Sequence, residues 1–450
     1  MDTVAPQVIV LGAGLAGCEC AFQLAEQGIA VQLWEMKPLR RTPAQSSDHL
    51  AELVCSNSFR SDNPLNAIGL LHEELRLAGS LLLRLADKHR VPAGDALAVD
   101  REEFAADVQA HIAQHSKIEL ISRHASELPL AQGVPVVVAT GPLTTAELAE
   151  AITAQTGQER LAFYDAIAPI VAADSIDYSQ VFAASRWGKG EGADYLNCPM
   201  DKPQYMAFVE ALLGAETMPL EDFERDAHYF QGCQPIEVIA ASGPKSLRFG
   251  PMKPTGLDDP RTGRWAYAVV QLRAENRHLT AYNLVGFQTK MRQAEQKRVL
   301  STIAGLGQAE FLRYGSVHRN TFLDSPRLLD EAMALKSQPQ LRFAGQITGV
   351  EGYVESTASG FWVAQRLAAD LCGRTLPLPP PTTSLGALLN HVLGQDLIMD
   401  AKVRFQPTNV HFGLFPPLED LGRKSQKAER KERMLSRARD DLQPWLTGLR

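Results

Sequence analysis

The sequence predicts an α/β protein in which a Rossmann-like dinucleotide-binding domain, built from both ends of the chain, surrounds an inserted α+β domain. Three observations carry this reading. Residues 8–35, VIVLGAGLAGCECAFQLAEQGIAVQLWE, spell a strand, a GxGxxG turn, a helix, a second strand and a terminal acid in register. An apolar run at 134–139 closes on Ala139-Thr140-Gly141-Pro142. A third run, 341–344, enters the glycine turn Gly345-Gln346-Ile347-Thr348-Gly349 far downstream.

The first unit is the most specific. Residues 8–11 are apolar and largely β-branched, as a strand buried on both faces requires. Gly12, Ala13, Gly14, Leu15, Ala16 and Gly17 then form the turn into a helix. In such a turn the first glycine permits the tight bend and the second admits a pyrophosphate against the backbone. The third lets helix and strand pack closely, with helix N-terminal amides facing the anion. Residues 29–34 form the next strand and end at Glu35, placed to accept a hydrogen bond from a ribose 2′-hydroxyl. A carboxylate there disfavours a 2′-phosphate, so the tight ligand is FAD or NAD rather than NADP. A strand ending in Ala-Thr-Gly, with Gly141, returns the chain to the same sheet in two-dinucleotide-type flavoproteins. That narrows the ligand to FAD, with Gly345, Gln346, Thr348 and Gly349 contributing from the C-terminal half.

Between these units the chain changes character. Residues 38–62 are polar and helix-poor, and 66–85 carry apolar residues at helical spacing. From 174 to 321 there are more aromatics, isolated charges and Pro/Gly turns, with strand-like runs at 267–272 and 281–288, as expected of an inserted domain that holds the substrate. The expected division is therefore 1–173 with 322–450 for the FAD domain and 174–321 for the insertion. A small-residue helix at 352–371 follows the last glycine turn, and a Pro-rich hinge at 376–384 precedes a mostly helical part, 385–450.

Bulk properties bound the class. With 450 residues, 45% hydrophobic and 22% charged, the chain is long enough for two or three domains with large cores. Its first motif starts at residue 8 and no stretch approaches 18 uninterrupted apolar residues, so a cytoplasmic protein with neither signal peptide nor membrane span is expected. Six cysteines are scattered without a CxxC pair or a Cys/His cluster at zinc spacing, so they are expected to be thiols and no metal is expected. Net charge is −7, yet residues 423–439 alone carry +6 and leave −13 for the rest. That basic segment is either a solvated helix face or a phosphate-contacting one.

Among the thiols, Cys55 lies in Glu52-Leu53-Val54-Cys55-Ser56-Asn57-Ser58-Phe59-Arg60, where apolar residues give way to polar and charged ones. Such surroundings suit an activated thiol, although a buried strand-end cysteine fits the same pattern. Cys233 lies between Gly232 and Pro235, on backbone with loop grammar, with Glu237 near enough in sequence to serve in proton transfer. Cys198, in Leu196-Asn197-Cys198-Pro199-Met200, shares part of that context and is its rival, whereas Cys18 and Cys20 read as helix packing residues. Lys253, between prolines, and Arg273 are candidate partners for a phosphate or a folate-like carboxylate. His318-Arg319-Asn320-Thr321-Phe322 sets polar side chains in succession.

Taken together, the glycine turn, Ala51-Glu52-Leu53-Val54-Cys55-Ser56-Asn57-Ser58, Arg90-Val91-Pro92-Ala93-Gly94, Leu196-Asn197-Cys198-Pro199-Met200, Phe249-Gly250-Pro251-Met252-Lys253-Pro254, His318-Arg319-Asn320-Thr321-Phe322 and Ala344-Gly345-Gln346-Ile347-Thr348-Gly349-Val350-Glu351-Gly352-Tyr353 resemble the bacterial folate- and FAD-dependent tRNA uracil-5-methyltransferases, the TrmFO family. The resemblance runs from the first strand to about residue 415. It implies methylation of C5 of uridine 54 in the tRNA T-loop, with 5,10-methylenetetrahydrofolate as one-carbon donor, reduced FAD as carrier and reductant, and NADPH or NADH as electron source. It also makes Cys233 and Cys55 the reacting pair, with Cys233 as nucleophile toward uracil C6 and Cys55 as second thiol, in base chemistry or in guarding the flavin. The basic 423–439 segment and cations of the insertion would then meet tRNA phosphates. Two other functions fit a complete FAD site: an NAD(P)H oxidoreductase without a tRNA substrate, and a non-catalytic tRNA-binding flavoprotein. The choice of nicotinamide donor, the folate pocket and the oligomeric state are left open by the sequence.

Overall fold

A computed structural model describes residues 5–42, 44–157, 161–218, 234–395, 405–418 and 427–449. Strand β1 (Val8–Leu11) is buried along its whole length, helix α1 (Leu15–Glu26) follows the glycine turn, and strand β2 (Val31–Glu35) returns beside β1 in parallel. They form the centre of a six-stranded sheet. On one side β2 pairs in parallel with Ile118–Ser122; on the other β1 pairs with Val136–Val138, which pairs with Gln338–Phe343. The antiparallel strand Ala334–Leu335 closes that edge. N- and C-terminal halves therefore share one parallel sheet, and one continuous hydrophobic core runs beneath both.

Close packing of α1 against the long helix Tyr353–Leu371 seals the two halves. A Cβ on Gly360 would lie 2.2 Å from the Ala16 carbonyl oxygen, and one on Gly17 only 1.8 Å from that of Gly12. Hydrogen is the only substituent these contacts admit. Two buried glutamates add polar ties. Glu19 accepts from the backbone N–H of Leu81 and Leu82 at the start of helix Leu81–Lys88. Glu74 accepts from Ser384 and Leu385 at 2.7 and 2.8 Å, capping helix Ser384–Val392 from a residue 310 positions away. Each carboxylate meets unsatisfied amides at a positive helix end, which offsets part of its desolvation.

The chain leaves this unit along Leu161–Ile167 and returns along Ser316–Phe322, an antiparallel ribbon paired from Leu161↔Phe322 to Ile167↔Ser316. His318 to Thr321 thus belong to a strand. Beyond the ribbon a second, antiparallel sheet of six strands contains Tyr195–Met200, Ala268–Ala274 and Ala281–Leu284, with Ile170–Ala172 ahead of the expected entry at residue 174. It has a separate core, in which Tyr205, Phe208 and Phe287 are fully buried. Helix Lys202–Leu213 covers it and begins with a capping box: Asp201 accepts from the Gln204 amide while the Gln204 side chain accepts from Asp201 N–H, both at 2.8 Å.

Several boundaries differ from the periodicity-based expectation. The 66–85 pattern splits into Ala67–Leu77 and Leu81–Lys88, because Gly79 takes a left-handed conformation at φ +85°. The run at 281–288 ends as a strand at Leu284, where the chain turns through Gly286. No helix of the described residues is long and apolar enough to cross a membrane.

Candidate active site

Two cavities meet at the C-terminal edge of the parallel sheet. The first, about 1100 Å³ including its open mouth, is lined by Gly12, Gly14, Leu15, Ala16, Glu35, Gly141, Gly345 and Gln346. Gly12 bends at φ +93°, with its missing Cβ facing the Ala139 carbonyl at 2.7 Å, whereas a Cβ on Gly14 would meet nothing within 4 Å. The bare face of Gly14 therefore fronts open cavity at the start of α1, as a pyrophosphate cradle requires. Buried Glu35 accepts from Ala13 N–H at 2.8 Å and from Lys37 N–H at 3.1 Å, which fixes its carboxylate at the cavity wall. Trp34 and Arg123 add a stacked face to that wall, the guanidinium lying 4.2 Å from the ring centroid. Glycine backbone, an oriented acid and an aromatic wall together fit an adenine dinucleotide such as FAD.

The remaining expected cofactor residues support the cavity from behind. Ala13 is buried, and Gly17 packs on the Gly12 carbonyl. Thr348 is fully buried, its hydroxyl donating to the Gly345 carbonyl at 2.8 Å. Gly349, at φ +85°, faces the Phe405 ring, which a Cβ would reach at 2.3 Å.

The second cavity, about 1610 Å³ with its mouth, lies between the two units. Cys55, Ser56 and Arg60 line one wall, and Arg186, Lys189, Tyr195, Gln271 and Arg273 of the insertion line another. Its described lining carries four cations, Arg60, Arg186, Lys189 and Arg273, against Asp95 and Glu351. On a chain of net charge −7 this lining sums to +2, with Lys189 paired to Asp95 and Arg60 to Glu355, a balance that favours an anionic ligand. Gln346 and Tyr353 line both cavities and mark their junction.

Cys55 stands at that junction. The Tyr353 hydroxyl accepts from Cys55 N–H at 2.7 Å and from Ser56 N–H at 3.1 Å, so one half-buried phenol fixes the loop. Burial, reinforced by the neighbouring Cys55, pushes this phenol above its ordinary range and keeps it protonated at neutral pH. Half-buried Arg101 pairs with Glu275 at 2.7 Å and donates to the Leu53 carbonyl. Burial opposes its charge, but Glu275 together with Tyr353 and Cys55 outweighs that and holds the guanidinium above its usual value. Burial, and then Arg101 itself, lower that of Arg313. Both guanidiniums interact electrostatically with Cys55.

Arg60 is held in an unusual way. It sits at φ +72° where the strand Ser58–Ser61 slips register, and its guanidinium donates to Glu355 at 3.0 Å. Burial raises the Glu355 carboxyl to about 7 despite Arg60. A non-glycine residue at positive φ carries strain that persists only where its surroundings impose it.

The other sequence candidates separate. Cys233 lies outside the described residues. Its rival Cys198 sits in a central strand of the second sheet with no exposure, and burial pushes its thiol up to about 12, so it is a packing residue, as are Cys18 and Cys20. Glu237 is also buried, accepting from Thr289 and from Lys290 N–H. Arg273 lines the cationic cleft and donates to Asn57 at 3.0 Å, while Lys253 is an exposed residue beyond it. In the basic C-terminal segment, Arg423 and Lys424 lie outside the described residues. Helix Lys427–Leu449 packs through Met434, Leu435, Ala438 and Leu442; Arg437 caps the Pro416 and Pro417 carbonyls and Arg439 pairs with Glu73, while Arg433 is exposed.

Comparison with known proteins is consistent with this architecture. The family profile described as glucose inhibited division protein A matches residues 7–375. The methylenetetrahydrofolate–tRNA-(uracil-5-)-methyltransferase TrmFO of Rhizorhabdus wittichii is 57% identical over 443 residues, covering 98% of each chain. That of Geobacter sulfurreducens is 55% identical over 440 residues, again covering 98% of each. Among solved structures, Aquifex aeolicus GidA superposes with a TM-score of 0.66 at 14% identity, over 98% of this chain and 77% of that one, a likeness of fold. The chain belongs to the glucose inhibited division protein A family and, within it, to the TrmFO group.

Proposed function

We propose that this protein is a folate-dependent tRNA (uracil-5-)-methyltransferase acting on C5 of uridine 54 in the T-loop. The relatives that match over almost the whole chain carry that enzyme name, which supports the reaction class. The observation that carries the site assignment is the position of Cys55 where the dinucleotide cavity opens into the cationic cleft. FAD, held by the Gly12–Gly17 turn, Glu35 and the Gly345-Gln346 segment, would supply redox chemistry and carry the one-carbon unit from 5,10-methylenetetrahydrofolate, with NADPH or NADH as electron source.

The chain's own residues have three tasks. Uracil C5 is a weak nucleophile until a thiolate adds at C6 and drives the electron pair toward O4; Cys233 takes that role in this proposal. Once C5 has bonded to the incoming carbon, its proton passes to a base and the C6–sulfur bond breaks, restoring the C5=C6 double bond and the thiolate. Cys55, beside two guanidiniums and clamped by Tyr353, is the second thiol, in proton transfer from C5 or in guarding the flavin. The third task is anion recognition, for which the cleft offers Arg60, Arg186, Lys189 and Arg273.

The test is incubation of the purified protein with T-loop RNA, labelled methylenetetrahydrofolate and NADPH, scored for label at uridine C5. Cys233→Ala and Cys55→Ala are each expected to abolish labelling. NAD(P)H oxidation without label in the wild type would assign an oxidoreductase instead, and label retained in Cys233→Ala would remove that residue from the chemistry.

A further inference from the structure

The inserted domain holds two tryptophans in the open. Trp187 is 63% exposed and Trp265 50%, and their rings meet edge to face with centroids 6.3 Å apart at 86°. Trp187 follows Arg186 and lies two residues before Lys189, both of which line the cleft, so its backbone sits beside the cleft wall. Its backbone takes a left-handed conformation, φ +60° and ψ 27°, which a bulky side chain seldom adopts.

The surroundings impose that conformation. Trp187 N–H donates to the Gly256 carbonyl at 2.9 Å, and the bare face of Gly256 receives the ring, which a Cβ would reach at 2.5 Å. The Arg186 guanidinium, bonded to the Lys253 and Thr255 carbonyls, braces the same loop from beneath. A strained, braced tryptophan whose ring stays mostly in water gains little from folding, because burial is what normally repays such a side chain. An aromatic face on the loop that supplies cleft cations instead suits a ligand that has both a π-face and a negative charge.

We infer that Trp187, supported by Trp265, is a stacking platform for an unstacked base of the tRNA loop, beside the cleft whose cations take its phosphates. This rests on the tRNA function proposed above and adds the surface that grips the RNA outside the reacting base. Stacking is tolerant of base identity, so the platform supplies affinity and register while the cleft selects the target uracil.

The experiment compares wild type, Trp187→Leu and Trp187→Tyr as full-length, FAD-loaded protein in methyl transfer to T-loop RNA. Trp187→Leu is expected to raise KM for RNA about tenfold with kcat little changed, the order expected for one stacked base. Trp187→Tyr is expected to restore most of the loss, because it keeps a π-face. Wild-type tryptophan emission should be quenched by RNA, and less so in Trp187→Leu. An unchanged KM in Trp187→Leu while the wild type methylates RNA would overturn the platform alone. Equal losses in the Leu and Tyr variants with a lowered melting midpoint would make the ring a structural brace, and a dimer that Trp187→Leu dissociates would assign the pair to self-association. A wild type that methylates no RNA would overturn the function itself, and the platform with it.

Discussion

Replacing Tyr353 with Phe removes a single oxygen from the junction of the two cavities and tests how Cys55 is held. The ring would keep its edge contact with Phe59, at 5.8 Å between centroids, so packing is conserved. What is lost is the acceptor for Cys55 N–H at 2.7 Å and Ser56 N–H at 3.1 Å. A buried donor left without a partner costs ~1–3 kcal/mol. Both residues are only half-buried and line the cleft, so water can reach one of the two amides from that side. The expected loss is therefore about 1–3 kcal/mol in total rather than twice that. Denaturant unfolding of the variant should show it as a lower midpoint with an unchanged slope. Because the loop carries Cys55, methyl transfer should fall more steeply than stability, with FAD affinity nearly unchanged. A variant within about 0.5 kcal/mol of wild type and fully active would refute the clamp.

Three further outcomes follow from the same geometry. Gly14→Ala should leave the FAD-free protein within about 1 kcal/mol of wild type, since its Cβ meets nothing, yet weaken FAD binding measured by flavin fluorescence. Gly17→Ala should instead destabilise the FAD-free protein by ~1–3 kcal/mol or more, because its Cβ would lie 1.8 Å from a carbonyl oxygen that cannot move freely; equal behaviour of the two variants would contradict the distinction. Glu355 should make stability pH-dependent. Burial raises its carboxyl to about 7 from 4.5, so above about pH 4.5 the unfolded chain releases a proton that the folded chain keeps. Its contribution is therefore fully present below pH 4.5 and lost as pH rises to about 7, by up to ~3 kcal/mol. Stability measured from pH 5 to 8 should fall less in Glu355→Gln than in wild type, and parallel curves would exclude the effect.

The legible parts of this fold are the local ones. Residues 8–35 announce strand, turn, helix, strand and acid because each is specified by neighbours within a few positions, and the structure reproduces all of them within two residues. The joining of the two chain ends was legible as well, since the strand closing on Ala139-Thr140-Gly141 and the strand entering the glycine turn at 345–349 read as returns to the first sheet. What was not legible depends on distant partners. Nothing near Cys55 names Tyr353, 298 positions on, as the residue that fixes it. Glu19 and Glu74 look like ordinary helix-surface acids until the helix ends they cap arrive from elsewhere. Cys198 misleads because Asn-Cys-Pro reads as a loop, whereas a sheet neighbour on each side makes it a buried strand. Arg60 and Trp187 carry no sequence sign of positive φ, which tertiary contacts impose.

Carbon transfer to RNA is expected to take place at the Cys55 junction. The direct measurement is single-turnover methyl transfer from labelled methylenetetrahydrofolate to a T-loop hairpin, followed in wild type and Cys55→Ser with FAD occupancy matched by absorbance. The prediction is stoichiometric label at uridine C5 in the wild type and none in Cys55→Ser, although both bind FAD alike. Label at an equal rate in Cys55→Ser would contradict it.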